Sequence, residues 1–192
     1  MSVVIHEVSH GYAAYLLGDP TAKNEGRLTL NPLAHLDFLG SFVVPVLAYL
    51  SVGFMLGWAK PVPYNPYNLK NQRWGDAIVA FAGPASNLLV ALFFGLFLRL
   101  GYLFNFLQLI SVDILVMVIL INLVLAIFNL IPVPPLDGSK ILFSFLPYHY
   151  IEFKQTIERY SLFLMLFVIF FLWQFIFPLI SFIFYLITGV KI

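Results

Sequence analysis

The 192-residue chain contains no cysteine, and only 10% of its residues are charged. The first absence excludes disulfides and thiolate metal sites, and it leaves the redox compartment unreadable. The second says more. A soluble domain carries about 25% charged residues, so this chain cannot cover a water-facing surface with polar groups. Its hydrophobic fraction is 61% and its mean hydropathy is +0.96. These values predict an α-helical polytopic membrane protein, with residues 1–192 forming a single membrane-embedded domain in a lipid bilayer. A formal net charge of +1 and the lack of any basic patch exclude a nucleic-acid partner. No basic region precedes the first apolar run, so no cleavable signal peptide is read. Internal repeats and low-complexity tracts are also absent.

What is present is a series of five apolar blocks, at 1–17, 38–58, 77–98, 114–131 and 161–187. The third is about 22 residues without a charge, enough to span a bilayer as a helix. The fifth is long and contains Pro178, so it reads as one kinked span or a tight pair. Polar linkers occupy 18–37, 59–76, a turn near Gly101, and 132–160. The expected architecture is about four to six transmembrane helices. The first block is short. Only five residues precede His6, too few to carry a helix across the other half of a membrane. The sequence therefore reads as one that begins inside a helix, its N-terminal part missing, with a genuine start at Met1 as the alternative.

The first block holds the run His6-Glu7-Val8-Ser9-His10, an HExxH pattern. In a helix, positions i and i+4 face the same way. Two imidazoles one turn apart suit two ligands of a tetrahedral zinc, and Glu7 can act as general base without ligating the metal. In soluble helices the same pattern arises by chance as exposed polar residues. In an apolar helix three titratable residues in five positions are costly unless they face a protein interior or bind something. A catalytic zinc takes a third protein ligand. His35, in "NPLAHLD", reads as a surface or loop-bonding histidine, and His149, in "LPYHYIEF", as interfacial. Asp137, in "FNLIPVPPLDGSKIL", is the better candidate, because it follows prolines that stop the fourth block and precedes Gly138. On its own, "LDG" is a common turn; its weight comes from the HExxH.

HEVSH near the start, "FAGPASN" in the third block and "NLIPVPPLDG" late in the chain together resemble the site-2 protease family of intramembrane zinc metalloproteases. "GDPTAKNEGRLTLNPLAHLDFLG" and "GWAKPVPYNP" resemble its small bacterial and archaeal members. The resemblance runs from His6 to about Leu146 and is weak over the last block. It implies one zinc ion (Zn2+) per chain on His6, His10 and Asp137, with Glu7 as catalytic base. It also implies that Asn129 contacts substrate or the transition state, since a neutral amide can donate to a developing oxyanion. The plainer reading, that Asn129 caps broken backbone near the prolines, weighs about the same. "AGPASN" is read as packing near the site, with small residues permitting close helix contact and Asn87 free to bond a neighbouring helix. The implied partner is a membrane-protein substrate with a transmembrane segment, cleaved within or beside the bilayer in regulated intramembrane proteolysis. The family also implies a membrane-dipping, strand-bearing loop at residues 24–37, whose edge would hold an extended substrate. A zinc-stabilised scaffold without catalysis and a metal transporter remain as alternatives. The oligomeric state, the physiological substrate and its cleavage site are not legible.

Depth and sidedness follow from counting. About seven residues separate His10 from the Gly18-Asp19-Pro20 turn, which puts the zinc roughly 10 Å below the surface where that helix ends. Asp137 follows the end of the fourth block, so it must meet His6 and His10 on the same side. The third and fourth blocks cross once each, hence the second must not cross, and Pro45, Gly53 and Gly57 make a re-entrant hairpin plausible there. One side then receives Lys23, Arg27, Lys60, Lys70, Arg73, Lys140, Lys154 and Arg159, and the other receives Arg99 and Lys191, eight against two. A crossing second block would give six against four. The positive-inside rule therefore places a multi-pass cell-membrane protein with its active site toward the cytoplasmic face.

Overall fold

The computed structural model describes residues 1–52, 57, 59–104, 111–147 and 150–191. Its helices run in the order α1 (Ser2–Leu16), α2 (Thr21–Asn24), α3 (Val44–Val52), α4 (Gly75–Leu103), α5 (Val112–Asn129), α6 (Asp137–Phe145), α7 (Ile151–Arg159), α8 (Ser161–Phe167) and α9 (Trp173–Thr188). Among the described residues, three helical stretches are long and apolar enough to cross a membrane: Gly75–Leu103, Val112–Asn129 and Ser161–Thr188. The third is α8 and α9 joined by a single π-helical stretch, Val168–Leu172. The last apolar block is thus one continuous helical stretch rather than a tight pair, with Pro178 inside it. It stops at Gly189, whose φ of 77° is the left-handed helix stop that glycine adopts readily.

α4 is the central element, packing against α1, α5, α6 and α9. Its start is prepared by Asn71, whose side chain accepts from the backbone N–H groups of Arg73 and Trp74. α5 ends before Pro132, Pro134 and Pro135, which cannot continue a helix. The apolar core lies at the far side of α4. There Leu98, Ile119, Leu123, Ile180 and Phe184 are fully buried between α4, α5 and α9.

The second apolar block turns back on itself. A helix crossing between residues 40 and 57 would separate them by roughly 25 Å at 1.5 Å per residue. Instead Gly57 lies against the residues at the block's beginning. A Cβ placed on it would sit 2.5 Å from the Gly40 carbonyl oxygen and 2.8 Å from Pro45 Cγ. The described ends of 38–58 therefore lie together, as a hairpin requires and a straight crossing helix does not allow. Gly53 and Trp58 lie outside the described residues.

The strand expected within 24–37 is not formed, and no strand occurs among the described residues. After α2 the chain turns at Gly26 and runs extended without a ladder. The adjacent segment explains why. It carries Pro61 and Pro63, which have no N–H to give. Its carbonyls at Lys60 and Pro61 accept from the buried Arg27 guanidinium, at 2.9 and 3.3 Å. Arg27 also donates to the Ala34 carbonyl, and the Lys60 N–H donates to the His35 carbonyl at 2.9 Å. One guanidinium and a single backbone bond, not a sheet, tie the two linkers together.

A second knot fixes the end of α1. The buried Asp19 carboxylate accepts from the Thr21 hydroxyl (2.6 Å), the Asn65 N–H (2.7 Å) and the Asn68 side chain (2.8 Å). Burial opposes its ionisation, but these bonds outweigh that and hold its pKa below the usual carboxylate range. Lys70 N–H donates to the Leu17 carbonyl at 2.8 Å. The 59–70 linker is thereby fastened beside α1.

Candidate metal centre

Two elements that are distant in sequence converge. His6 and His10 lie one turn apart on α1 with ring centroids 4.6 Å apart, and Asp137 is the first residue of α6. Asp137 Oδ2 is 3.1 Å from His6 Nε2 and 3.2 Å from His10 Nε2. One ligand atom from each of the three lies within 4.8 Å of the others. This is a cluster about a common point, the donor set and spacing that a tetrahedral metal site requires. These are the three residues that the sequence singled out as candidate ligands, and the fold brings them together. Of the rival histidines, His35 is a loop-bonding residue, its Nε2 2.8 Å from the Thr29 carbonyl. His149 lies outside the described residues.

The imidazoles are held from behind. His6 Nδ1 is 2.6 Å from Asn87 Oδ1, and His10 Nδ1 is 2.7 Å from the Val79 carbonyl. Both partners are acceptors, so both Nδ1 atoms carry the proton and both Nε2 lone pairs face the cluster. That is the tautomer a metal needs. Asn87 is itself fixed, donating to Asn122 Oδ1 at 2.8 Å and to the Ser2 carbonyl at 3.3 Å. The "AGPASN" segment thus does more than pack. It supplies the acceptor that orients His6.

Two glycines make the convergence possible. A Cβ on Gly83 would lie 2.4 Å from His10 Nε2 and 2.6 Å from His6 Nε2. Only a residue without a side chain lets α4 pass this close to the ligands. A Cβ on Gly138 would lie 2.3 Å from the Leu130 carbonyl oxygen and 2.5 Å from that of Ile131. That glycine lets α6 start against the end of α5, which delivers Asp137 to the histidines.

A cavity of about 200 Å³ opens on the cluster, lined by His6, Glu7 and His10 of α1, Pro61, Val62 and Tyr64 of the linker, and Asn129, Pro135, Asp137 and Lys140. Glu7 projects into it beside the three ligand residues, and its Oε2 accepts from the Val62 N–H at 2.9 Å. Between Pro61 and Pro63, that N–H is the segment's available donor. Asn129 lines the cavity while its Nδ2 donates to the Leu125 carbonyl at 2.9 Å. The bond runs back one turn within α5 rather than to the proline segment. The sequence did not single out Val62, Tyr64 or Gly83 as parts of the site. "GWAKPVPYNP", with its paired prolines beside a polar turn, is the signal that marks the first two.

Gly83 lies eight residues into α4 from Gly75, about 12 Å along that helix from its start.

A membrane-type helix bundle enclosing a His, His, Asp cluster with an adjacent glutamate defines a class of metal-dependent hydrolases, and comparison with known proteins places the chain within it. Residues 105–172 match the family model described as Peptidase family M50. A Bacillus subtilis protein named "Putative zinc metalloprotease YwhC" is 43% identical over 152 residues, covering 77% of this chain and 66% of that protein. A Mycolicibacterium smegmatis protein named "Putative zinc metalloprotease Rip2" is 32% identical over 150 residues, covering 72% of this chain and 51% of that protein. No solved structure matches. The chain belongs to the M50, or site-2 protease, family of zinc metalloproteases. It spans about two thirds of the length of the first relative and half that of the second.

Proposed function

We propose that this chain is a zinc-dependent endopeptidase that cuts transmembrane or juxtamembrane segments of membrane proteins, with one zinc ion per chain on His6, His10 and Asp137. The observation that carries the reading is the position of Glu7, in the same 200 Å³ cavity as the three ligand residues. A structural metal site has no use for a carboxylate held beside its ligands. A bound zinc would supply a Lewis acid and lower the pKa of water. The chain's own residues supply the rest. Val62 N–H holds Glu7 Oε2, so Oε1 is the atom that takes a proton from water and later returns it to the leaving amine. Asn129 has one amide N–H committed to Leu125, and its other is the donor for a developing oxyanion. Tyr64, whose phenol is pushed to a higher pKa by burial and by the neighbouring Asp76 carboxylate, stays protonated at the cavity wall.

The re-entrant second block supports the eight-against-two distribution of cationic residues, and with it a site near the cytoplasmic face. A site some 10–12 Å below that face is within reach of water through the polar 59–70 linker. Regulated cleavage of a transmembrane protein is the function that fits such a site. A non-catalytic scaffold would not need Glu7. A transporter would need a polar exit on the far side, where the described part of α4, α5 and α9 is an apolar core.

The test is metal content and cleavage in one experiment on purified protein. Glu7→Gln is expected to keep about one zinc per chain and to lose cleavage by roughly 10²–10⁴-fold. Asp137→Ala is expected to lose both. Cleavage by Glu7→Gln at the wild-type rate would sink the proposal.

A further inference from the structure

The metal cavity, at about 200 Å³, lies below the roughly 300–1,000 Å³ of ordinary ligand sites. It can hold the scissile bond and little of the chain on either side. A second cavity of about 710 Å³ lies beside it, lined in part by Arg73, Asp76, Lys140, Phe143, Tyr150 and Lys154. Lys140 lines both cavities. We propose that this larger cavity, between the start of α4, α6 and α7, receives the water-side flank of the substrate and selects acidic residues there. The proposal rests on the protease reading above and adds a substrate preference to it.

The geometry sets the reach. Asp137, Lys140 and Ser144 occupy positions i, i+3 and i+7 of α6, which share one face. Lys140 and Ser144 are about 4.5 and 10 Å along the helix from Asp137. An extended peptide advances about 3.3 Å per residue, so the cavity covers roughly one to three residues beyond the scissile bond. The charge sets the preference. Arg73 precedes α4, Lys140 sits on α6 and Lys154 on α7, so three elements each contribute one cation. Each cation lies over an aromatic ring, Arg73 over Trp74 (5.2 Å), Lys140 over Tyr64 (5.1 Å) and Lys154 over Phe143 (5.5 Å). A ring positions a cation without neutralising it. Of the carboxylates, Glu158 is 3.9 Å from Lys154, and Asp76 is bonded by the Tyr64 hydroxyl. The surplus is positive, and the site therefore suits Asp or Glu in the flank.

The experiment uses full-length Glu7→Gln protein in detergent. The probes are fluorescent peptides of about 20 Leu and Ala residues carrying a short flank of Asp, Asn or Lys, placed at either end in turn. Anisotropy is expected to show the Asp-flanked peptide bound about threefold to tenfold more tightly than the Lys-flanked one, with the gap narrowing as salt rises. Arg73→Glu combined with Lys154→Glu should reverse the order, and the milder Lys154→Gln should shrink it. Equal affinities for all flanks, or a preference untouched by charge reversal, would overturn the proposal. So would charge reversal that leaves peptide preference alone but abolishes selectivity for phosphatidylglycerol over phosphatidylcholine vesicles, since the cavity would then hold a lipid headgroup. Wild-type protein that binds Asp-flanked peptides but cleaves none would sink the protease reading and leave this subsite standing. Cleavage of all flanks at one rate, with equal binding, would do the reverse.

Discussion

The half of α4 nearest its start and the half nearest its end are held by different forces. From Gly75 to Asn87 the helix meets α1 and α6 through directional bonds and close approaches, with Val79 on His10, Asn87 on His6, and Gly83 against both imidazoles. From Ala91 to Leu98 it meets α5 and α9 through Ile119, Leu123, Ile180 and Phe184, with no polar partner in that cluster. In lipid, apolar packing has no hydrophobic driving force, because the tails are as apolar as leucine. The second half is therefore cohesive yet forgiving. The first half allows one arrangement only. A substitution of similar size should be far more costly at Gly83 than at Phe184.

The largest effect is expected at Gly83. Gly83→Ala adds one methyl group, which would lie 2.4 Å from His10 Nε2 and 2.6 Å from His6 Nε2. Neither ring can yield, since each is bonded on its far side. Zinc affinity, measured by competition with a chelator, should fall by more than about 100-fold, beyond the range of outer-shell changes. Asn87→Ala is expected to come next. It removes the acceptor that fixes the His6 tautomer and the donor to the buried Asn122 Oδ1, for a loss of about 10- to 100-fold in zinc affinity. Asn87→Asp should recover much of that loss, because a carboxylate still accepts from Nδ1. Failure of Asn87→Asp to improve on Asn87→Ala would mean that packing, not hydrogen bonding, is what Asn87 contributes.

The same contrast explains what the sequence made legible. His6, Glu7, His10 and Asp137 were readable because titratable residues in apolar surroundings demand a reason, and helical spacing then sets their direction. The fold-back of the second block was readable because one metal needs its ligands on one side, a constraint that counting alone can apply. Gly83 was not readable as a ligand neighbour. A glycine among "AGPAS" reads equally as helix packing, and the difference is a distance. Val62 was hidden for a related reason, since its role is a backbone N–H and any residue other than proline has one. The strand that the family resemblance implied within 24–37 is not formed among the described residues, because a strand needs a partner with free ladder positions. Pro61, Pro63 and the Arg27 guanidinium took the places that a ladder would need.

The smallest effect on the metal is expected from the forgiving half. Phe184 is fully buried on α9 against α4 and α5. Phe184→Ala in a soluble core would cost about 3–5 kcal/mol, and here the lower end applies, because the group moves between two apolar surroundings and loses only packing contacts. Thermal unfolding in detergent should shift down accordingly. Zinc affinity should change by less than about twofold, since sites without shared partners behave independently. A loss of zinc in step with the loss of stability would break the comparison. It would mean that the α5 and α9 packing positions α4 along its whole length, so that Gly83 is held at the ligands from the apolar end. Retention of zinc with a lowered melting temperature would instead show that the α1, α4 and α6 corner stands on its own hydrogen bonds, with the last span acting as a support the chemistry does not need.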